Sequence, residues 1–225
     1  QKTAYEISLG LVGSEMCIRD RINNFNANKK ANYMSKDISL EKDKLRLLWK
    51  EKRKKLSLNS SNEHKKYFIK NFKKAIGIFE NKIIAGYNPI NHEVDCLNLL
   101  NFASKQGSKI ALPYVKKNKI IEFREWRNTE PLARDNLGIL SPSSEKIVIP
   151  DVIIIPLLCF DLNGTRLGMG QGIYDRSLPF FELSDKYGLA FSAQETNKLI
   201  TEQHDFLIDG VITEKNFLSF ERKKN

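Results

Sequence analysis

Apolar residues recur at helical spacing early in the chain and in short, dense runs later. Leu45, Leu48, Trp49 and Leu56 fall on one side of a helix opened by Asp37 or Ser39, and Tyr67, Phe68, Phe72, Ala75, Ile76 and Phe79 mark a second. Lys82 to Tyr87 reads as a strand stopped by Asn88-Pro89, followed by a helix from about Val94 to Lys105 that ends near Gly107. Lys109 to Tyr114 is the next strand, ending around Pro113. Ile120 to Trp126 alternates more and is expected to be half exposed. A Pro- and Ser-bearing connection, Pro131 to Pro142, precedes the most apolar strand, Val152 to Leu158, and Gly188 to Ser192 and Gly210 to Thr213 complete the set. Short apolar runs separated by helices predict an α/β fold with a mostly parallel sheet and helices on its faces.

Composition narrows the class. Of 225 residues, 41% are hydrophobic and 28% charged, enough for a sizeable core and against wholesale disorder. The longest apolar stretch, Val152 to Phe160, is far shorter than the ~18 residues of a membrane-spanning helix, so no membrane partner is expected. Three cysteines, Cys17, Cys96 and Cys159, are too few for a disulfide framework and point to a reducing, cytoplasmic setting.

The net charge of +10 is concentrated. Lys29 to Lys74 holds 16 basic and 5 acidic residues, while the rest is nearly neutral. Such a face can meet phosphate, a polyanionic substrate or water. It lacks the aromatic interleaving of a recognition motif, so no nucleic acid is expected as a partner. Residues 1 to 33 show no sustained periodicity and resemble translated adaptor and upstream sequence. They are expected to be a non-native or disordered extension, with Met34 a natural start and 34 to 225 a single catalytic domain.

The segment after the apolar strand carries the candidate chemistry: Asn163-Gly164-Thr165-Arg166-Leu167-Gly168-Met169-Gly170-Gln171-Gly172-Ile173-Tyr174-Asp175-Arg176. Alternating glycines let a backbone bring N–H groups close to an anion without Cβ obstruction. The spacing is neither a Walker A loop nor a Rossmann fingerprint, and a plain Gly-rich turn remains the alternative. Arg166 can neutralise phosphate and Asp175 can ligate Mg²⁺. His64, His92 and His204 have no zinc-like spacing.

This run resembles the N-R-L-G-x-G-x-G-Y-Y-D signature of the 5-formyltetrahydrofolate cyclo-ligases, or methenyltetrahydrofolate synthetases. Lys42-Asp43-Lys44-Leu45-Arg46 is similar to the family's K-x-x-L-R helix, and Tyr87-Asn88-Pro89 with Glu93-Val94-Asp95 to its Y-x-P…E-V-D segment. His204 to Glu214 is similar to its closing H-D-x-x-x-D-x-V-x-T-E. Thr165, Gln171 and Ile173 depart from the usual residues, and Ser141 stands where many relatives have Glu. Ile173 leaves the aromatic hydroxyl work to Tyr174.

The resemblance implies a three-layer α/β/α architecture of the NagB/RpiA/CoA-transferase type and a monomer. It implies ATP-dependent cyclisation of 5-formyltetrahydrofolate, with or without a polyglutamate tail, to 5,10-methenyltetrahydrofolate through a phosphorylated formyl intermediate. Lys42, Arg46, Arg166, Leu167, Gly168, Met169, Gly170, Gln171, Gly172, Tyr174 and Asp175 would then bind ATP. Glu93 and Tyr174 would face the folate, Arg166 and Tyr174 would be catalytic, and Asp175 and Asp205 would hold Mg²⁺. A nucleotide-binding relative without cyclo-ligase activity, or a basic nucleic-acid-binding protein, remains the alternative.

Overall fold

The computed structural model describes residues 37–220. The expected boundary between residues 33 and 34, and Cys17, lie outside them. The chain divides into two compact units, Gln1–Lys44 and Leu45–Asn225. In the first, residues 37–44 are helical, with Asp37 the first helical residue described, so Ser39 lies inside the helix instead of opening it.

The second unit opens with helix α1 (45–58) and α2 (Asn62–Ile76), followed by β1 (Ile83–Ala85) and α3 (Cys96–Lys105). Then come β2 (Lys109–Val115), β3 (Ile121–Glu125), β4 (Leu132–Arg134) and β5 (Leu140–Pro142). After β6 (Val152–Pro156), a hairpin of β7 (Cys159–Phe160) and β8 (Arg166–Leu167) leads to α4 (Ile173–Ser177). The chain continues through β9 (Asp185–Leu189), β10 (Gly210–Ile212) and β11 (Phe217–Ser219).

Seven strands form one sheet in the order β11-β10-β9-β6-β1-β2-β3. The five inner strands run parallel, and the edges β11 and β3 are antiparallel. Alternate residues of each strand feed opposite faces, as a period of two requires. Ile84, Ile110, Leu112, Val152 and Ile154 pack under α2 and α3. Ala85, Ala111, Ile153 and Ile155 pack with Ile173, Tyr174 and Leu178 on the other face. The expected α/β architecture with a mostly parallel sheet is therefore present.

Several local expectations need correction. Leu48 is 62% exposed, so the inward stripe of α1 is the buried Trp49 and Arg53 flanked by the partly buried Leu45 and Leu56. Phe79 lies beyond α2, whose end is fixed by Gly77 at φ 68, and it packs edge-on to Phe72 and Phe102. Pro113 does not end a strand. It sits inside β2 opposite Phe123, where the other neighbour, β1, has already stopped pairing at Ala111, so the missing N–H forfeits no ladder bond on that side. The connection from Pro131 to Pro142 folds into the β4–β5 hairpin.

Candidate active site

The Gly-rich segment is delivered by the β7–β8 hairpin. Asp161 closes its turn: Oδ1 accepts from the N–H of Asn163 at 2.9 Å and of Thr165 at 3.0 Å, while Oδ2 accepts from Leu199 N–H at 3.0 Å. Thr165 enters this turn through its backbone N–H, so the side-chain departure from the usual Asn leaves the anchoring intact.

Arg166 leaves the hairpin with its side chain only 4% exposed. Nη2 donates to Asp175 Oδ1 at 2.7 Å, and Nη1 donates to the Phe206 carbonyl. Asp175 Oδ1 also accepts from Phe206 N–H at 3.2 Å. One part-buried ion pair thus ties the loop to the start of α4 and to the segment carrying Asp205. Asp205 Oδ2 accepts from Glu202 N–H at 2.8 Å, a turn closure, and its carboxylate gathers with Glu202 and His204 within 4.8 Å. Asp175 is held beside this segment through Phe206 but is not a member of that cluster.

The three glycines are not equivalent. Gly170 at φ +93 and Gly172 at φ +61 occupy the left-handed region, which a Cβ disfavours. Gly168 carries no such requirement, and a Cβ there meets no heavy atom within 4 Å. Arg46 of α1 lies against the loop, its Nε donating to the Gly168 carbonyl at 3.2 Å. A Cβ on Gly170 would stand 3.1 Å from that same Nε. Met169 and Gln171 are both exposed, with the Gln171 carbonyl accepting from Arg176 Nη2 at 2.5 Å. Leu167 is buried with Trp49 and Leu199. Lys42 belongs to the first unit, four residues before Arg46.

Beside the loop lies a second group of side chains. Tyr174 is half-buried, and its hydroxyl makes no hydrogen bond among the described residues. Burial, and then the nearby Glu93 and Cys96, push its pKa up despite Arg166, so the phenol stays a neutral donor. Burial likewise raises the Glu93 carboxyl, opposed by the Ile90 N–H bond and by Arg53. Tyr87, desolvated and facing Cys96, Glu93 and Tyr174, is raised well above its ordinary value, and its hydroxyl donates to the Val94 carbonyl at 2.9 Å. The Cys96 thiol is pushed by burial to about 12 and is inert as a nucleophile at neutral pH. A groove of about 260 Å³ opens from Glu93 and is lined by Ser57, Lys65, Asp95 and Asn98 above Phe68 and Phe191.

Glu93 does not cap α3, because Asp95 does so by accepting from Asn98 N–H at 3.3 Å. The carboxylate of Glu93 instead pairs with Arg53 at 3.4 Å. Sequence reading missed Arg53, one cation among many on a lysine-rich helix. The signal available was its place seven residues after Arg46, two turns along the same face.

A profile of the 5-formyltetrahydrofolate cyclo-ligase family matches residues 38–214. The chain belongs to the 5-formyltetrahydrofolate cyclo-ligase family. That family's members named as ligases include the 5-formyltetrahydrofolate cyclo-ligase of Haemophilus influenzae, 31% identical over 134 residues that cover 55% of this chain and 71% of that protein. The enzyme of the same name from Escherichia coli K12 is 30% identical over 139 residues, 58% of this chain and 76% of its own. The solution structure of Aquifex aeolicus 5,10-methenyltetrahydrofolate synthetase superposes with a TM-score of 0.68 at 30% identity, covering 82% of this chain and 95% of that one. Both the family and the α/β fold expected from the motifs are thereby established. No helix of the described residues is long and apolar enough to cross a membrane.

Proposed function

We propose that the protein cyclises 5-formyltetrahydrofolate to 5,10-methenyltetrahydrofolate in the cytoplasm, with conversion of ATP to ADP and phosphate. The observation that carries this reading is the adjacency of two kinds of site. A left-handed glycine loop under Arg46 suits phosphates, and next to it the neutral Tyr174 donor faces the Glu93 carboxylate.

The formyl oxygen is a poor leaving group. In the proposed sequence it attacks the γ-phosphorus and ADP departs, leaving an N5-iminium phosphate. N10 then attacks the formyl carbon, loses its proton, and the carbon–oxygen bond breaks to release phosphate. The protein's part is positioning and charge stabilisation. Arg46 and the Gly168 to Gly172 backbone are assigned to the phosphates. Arg166 already holds Asp175 at 2.7 Å, so any pull it exerts on a phosphate is coupled to the placement of that carboxylate. Glu93 accepts from ring N–H groups of the folate, and Tyr174 donates to the formyl oxygen or its phosphate.

Mg²⁺ fits the donor chemistry here. Asp175 keeps Oδ2 without a hydrogen bond among the described residues, and Asp205 adds a second carboxylate on the adjoining segment. A bound Mg²⁺ would neutralise charge on the phosphates.

Incubation with 5-formyltetrahydrofolate and Mg-ATP, followed by methenyltetrahydrofolate absorbance, tests the reading directly. Product formation that needs both substrates supports it, and ATP binding without folate-dependent turnover would leave a nucleotide-binding relative instead. Within this scheme Arg46→Ala raises the KM for ATP by on the order of tenfold, the scale of a lost charge-assisted hydrogen bond. The exposed Lys54 and Lys55 should change it little when replaced by Ala. Equal effects at all three positions, measured in steady-state kinetics, would replace the specific contact with a diffuse field.

A further inference from the structure

We propose that Arg53 is the positioning residue of the folate-side pocket: its guanidinium fixes the turn that presents Glu93, and so sets where the Glu93 carboxylate meets the substrate. This rests on the cyclo-ligase reading of the site.

Arg53 is 1% exposed and reaches three places at once. Nη2 donates to the Asn91 carbonyl at 2.8 Å, and Nη1 donates to the Leu157 carbonyl at 3.1 Å and to Glu93 Oε1 at 3.4 Å. The turn it grips is strained. Asn91 at φ 50 and His92 at φ 64 are consecutive non-glycine residues in the left-handed region. Such residues persist where the surroundings over-determine them. The turn's own bonds are Glu93 N–H to the Ile90 carbonyl and Ile90 N–H to Glu93 Oε2, both 3.0 Å. Arg53 adds the tertiary tie, joining this turn to the chain just after β6. Both carboxylate oxygens of Glu93 are thus held, one by the turn and one by Arg53.

Stability alone is a poor reason for this arrangement. A buried guanidinium is desolvated, and its Nε–H is buried without a hydrogen-bond partner among the described residues. A packed hydrophobic side chain in place of a buried ion pair is often neutral or stabilising. What the arginine supplies is geometry and charge. Glu93 is faced by Arg53 from α1, by Tyr87 from the segment after β1, by Cys96 from α3 and by Tyr174 from α4. Lys65 and Asp95 line the groove beyond it. Arg53 is the cation in direct contact among the described residues, and the planar fork lets one side chain bond a carbonyl and a carboxylate together, which a lysine ammonium does less well.

Three variants of the full chain test this: Arg53→Lys, Arg53→Met and Glu93→Gln, with the Arg53→Met/Glu93→Gln double variant. Calorimetric binding of 5-formyltetrahydrofolate and of Mg-ATP is measured separately, beside KM, kcat, melting temperature and pH profile. Both Arg53 variants should weaken folate binding and raise its KM by on the order of tenfold or more, as a misplaced binding group does, with the KM for ATP within about twofold of wild type. Arg53→Met removes the charge that lowers the Glu93 pKa, so the acid limb of kcat/KM moves to higher pH. Glu93→Gln abolishes that limb, and adding Arg53→Met to it should then cost folate affinity little, as coupled positions do.

A parallel rise in both KM values tracking a lower melting temperature would overturn the positioning role, leaving Arg53 a structural residue. So would unchanged folate binding in Arg53→Met. If that variant does not fold, Arg53→Lys and the double variant decide on the same readouts. A wild-type protein that neither binds 5-formyltetrahydrofolate nor forms product would defeat the cyclo-ligase reading itself. Wild-type activity with Arg53 variants indistinguishable from it would defeat this inference alone.

Discussion

Gly170→Val is expected to weaken Mg-ATP binding by about two orders of magnitude or more and to lower the melting temperature, while Gly168→Val lowers the affinity alone. The two positions differ in what a side chain would meet. At Gly170 the backbone is at φ +93, where a β-branched residue carries strain of about 1–3 kcal/mol, and the new Cβ falls 3.1–3.4 Å from Arg46 Nε, Cζ and Cδ. Arg46 would have to shift and release the Gly168 carbonyl. Fold and phosphate site are therefore damaged together. At Gly168 nothing lies within 4 Å, so the folded protein tolerates a side chain and only an incoming ligand can object to it. Thermal melts beside calorimetric ATP titration separate the cases. Normal Mg-ATP affinity in a stable Gly168→Val or Gly170→Val protein would reduce the loop to a turn.

The parts of this molecule that were legible in sequence are those where one residue type serves one purpose. β6 reads as a strand because Val152, Ile153, Ile154 and Ile155 are buried on both faces of a central strand, giving an unbroken apolar run. The glycine loop reads as special because a left-handed backbone at positions 170 and 172 requires that residue. The β7–β8 hairpin stayed hidden, since two-residue strands carry no period and its shape comes from Asp161 collecting three N–H groups. Helical spacing places Leu48 inward, yet it is exposed, while tertiary hydrogen bonds to Leu157 and Asn91 draw Arg53 inside, a pull that no periodicity of the helix carries. Glu93 was recognised by its motif, but its partner lies 40 residues away in sequence, beyond the reach of any local pattern.

Asp175→Asn is expected to cut turnover by on the order of a hundredfold while leaving nucleotide binding partly intact and the melting temperature close to wild type. The substitution is nearly isosteric. Its amide oxygen can still accept from Arg166 Nη2 and from Phe206 N–H, the two bonds that Oδ1 now makes at 2.7 and 3.2 Å, so loop, α4 and the Asp205 segment stay joined. What disappears is the negative charge and the second carboxylate oxygen, the one with no hydrogen bond among the described residues and therefore open to a cation. Loss of the charge also leaves the Arg166 guanidinium, 4% exposed, without its counter-ion, which weakens that contact to a charge–dipole bond. Asp175→Ala removes the acceptor as well, and should lower the melting temperature markedly because a buried arginine is then unpaired. The comparison of Asn with Ala therefore divides charge from architecture. Steady-state turnover at rising Mg²⁺ completes the test: in Asp175→Asn the Mg²⁺ dependence should shift to higher concentration. Near-wild-type turnover with an unshifted Mg²⁺ curve would assign Asp175 to holding Arg166 and nothing more.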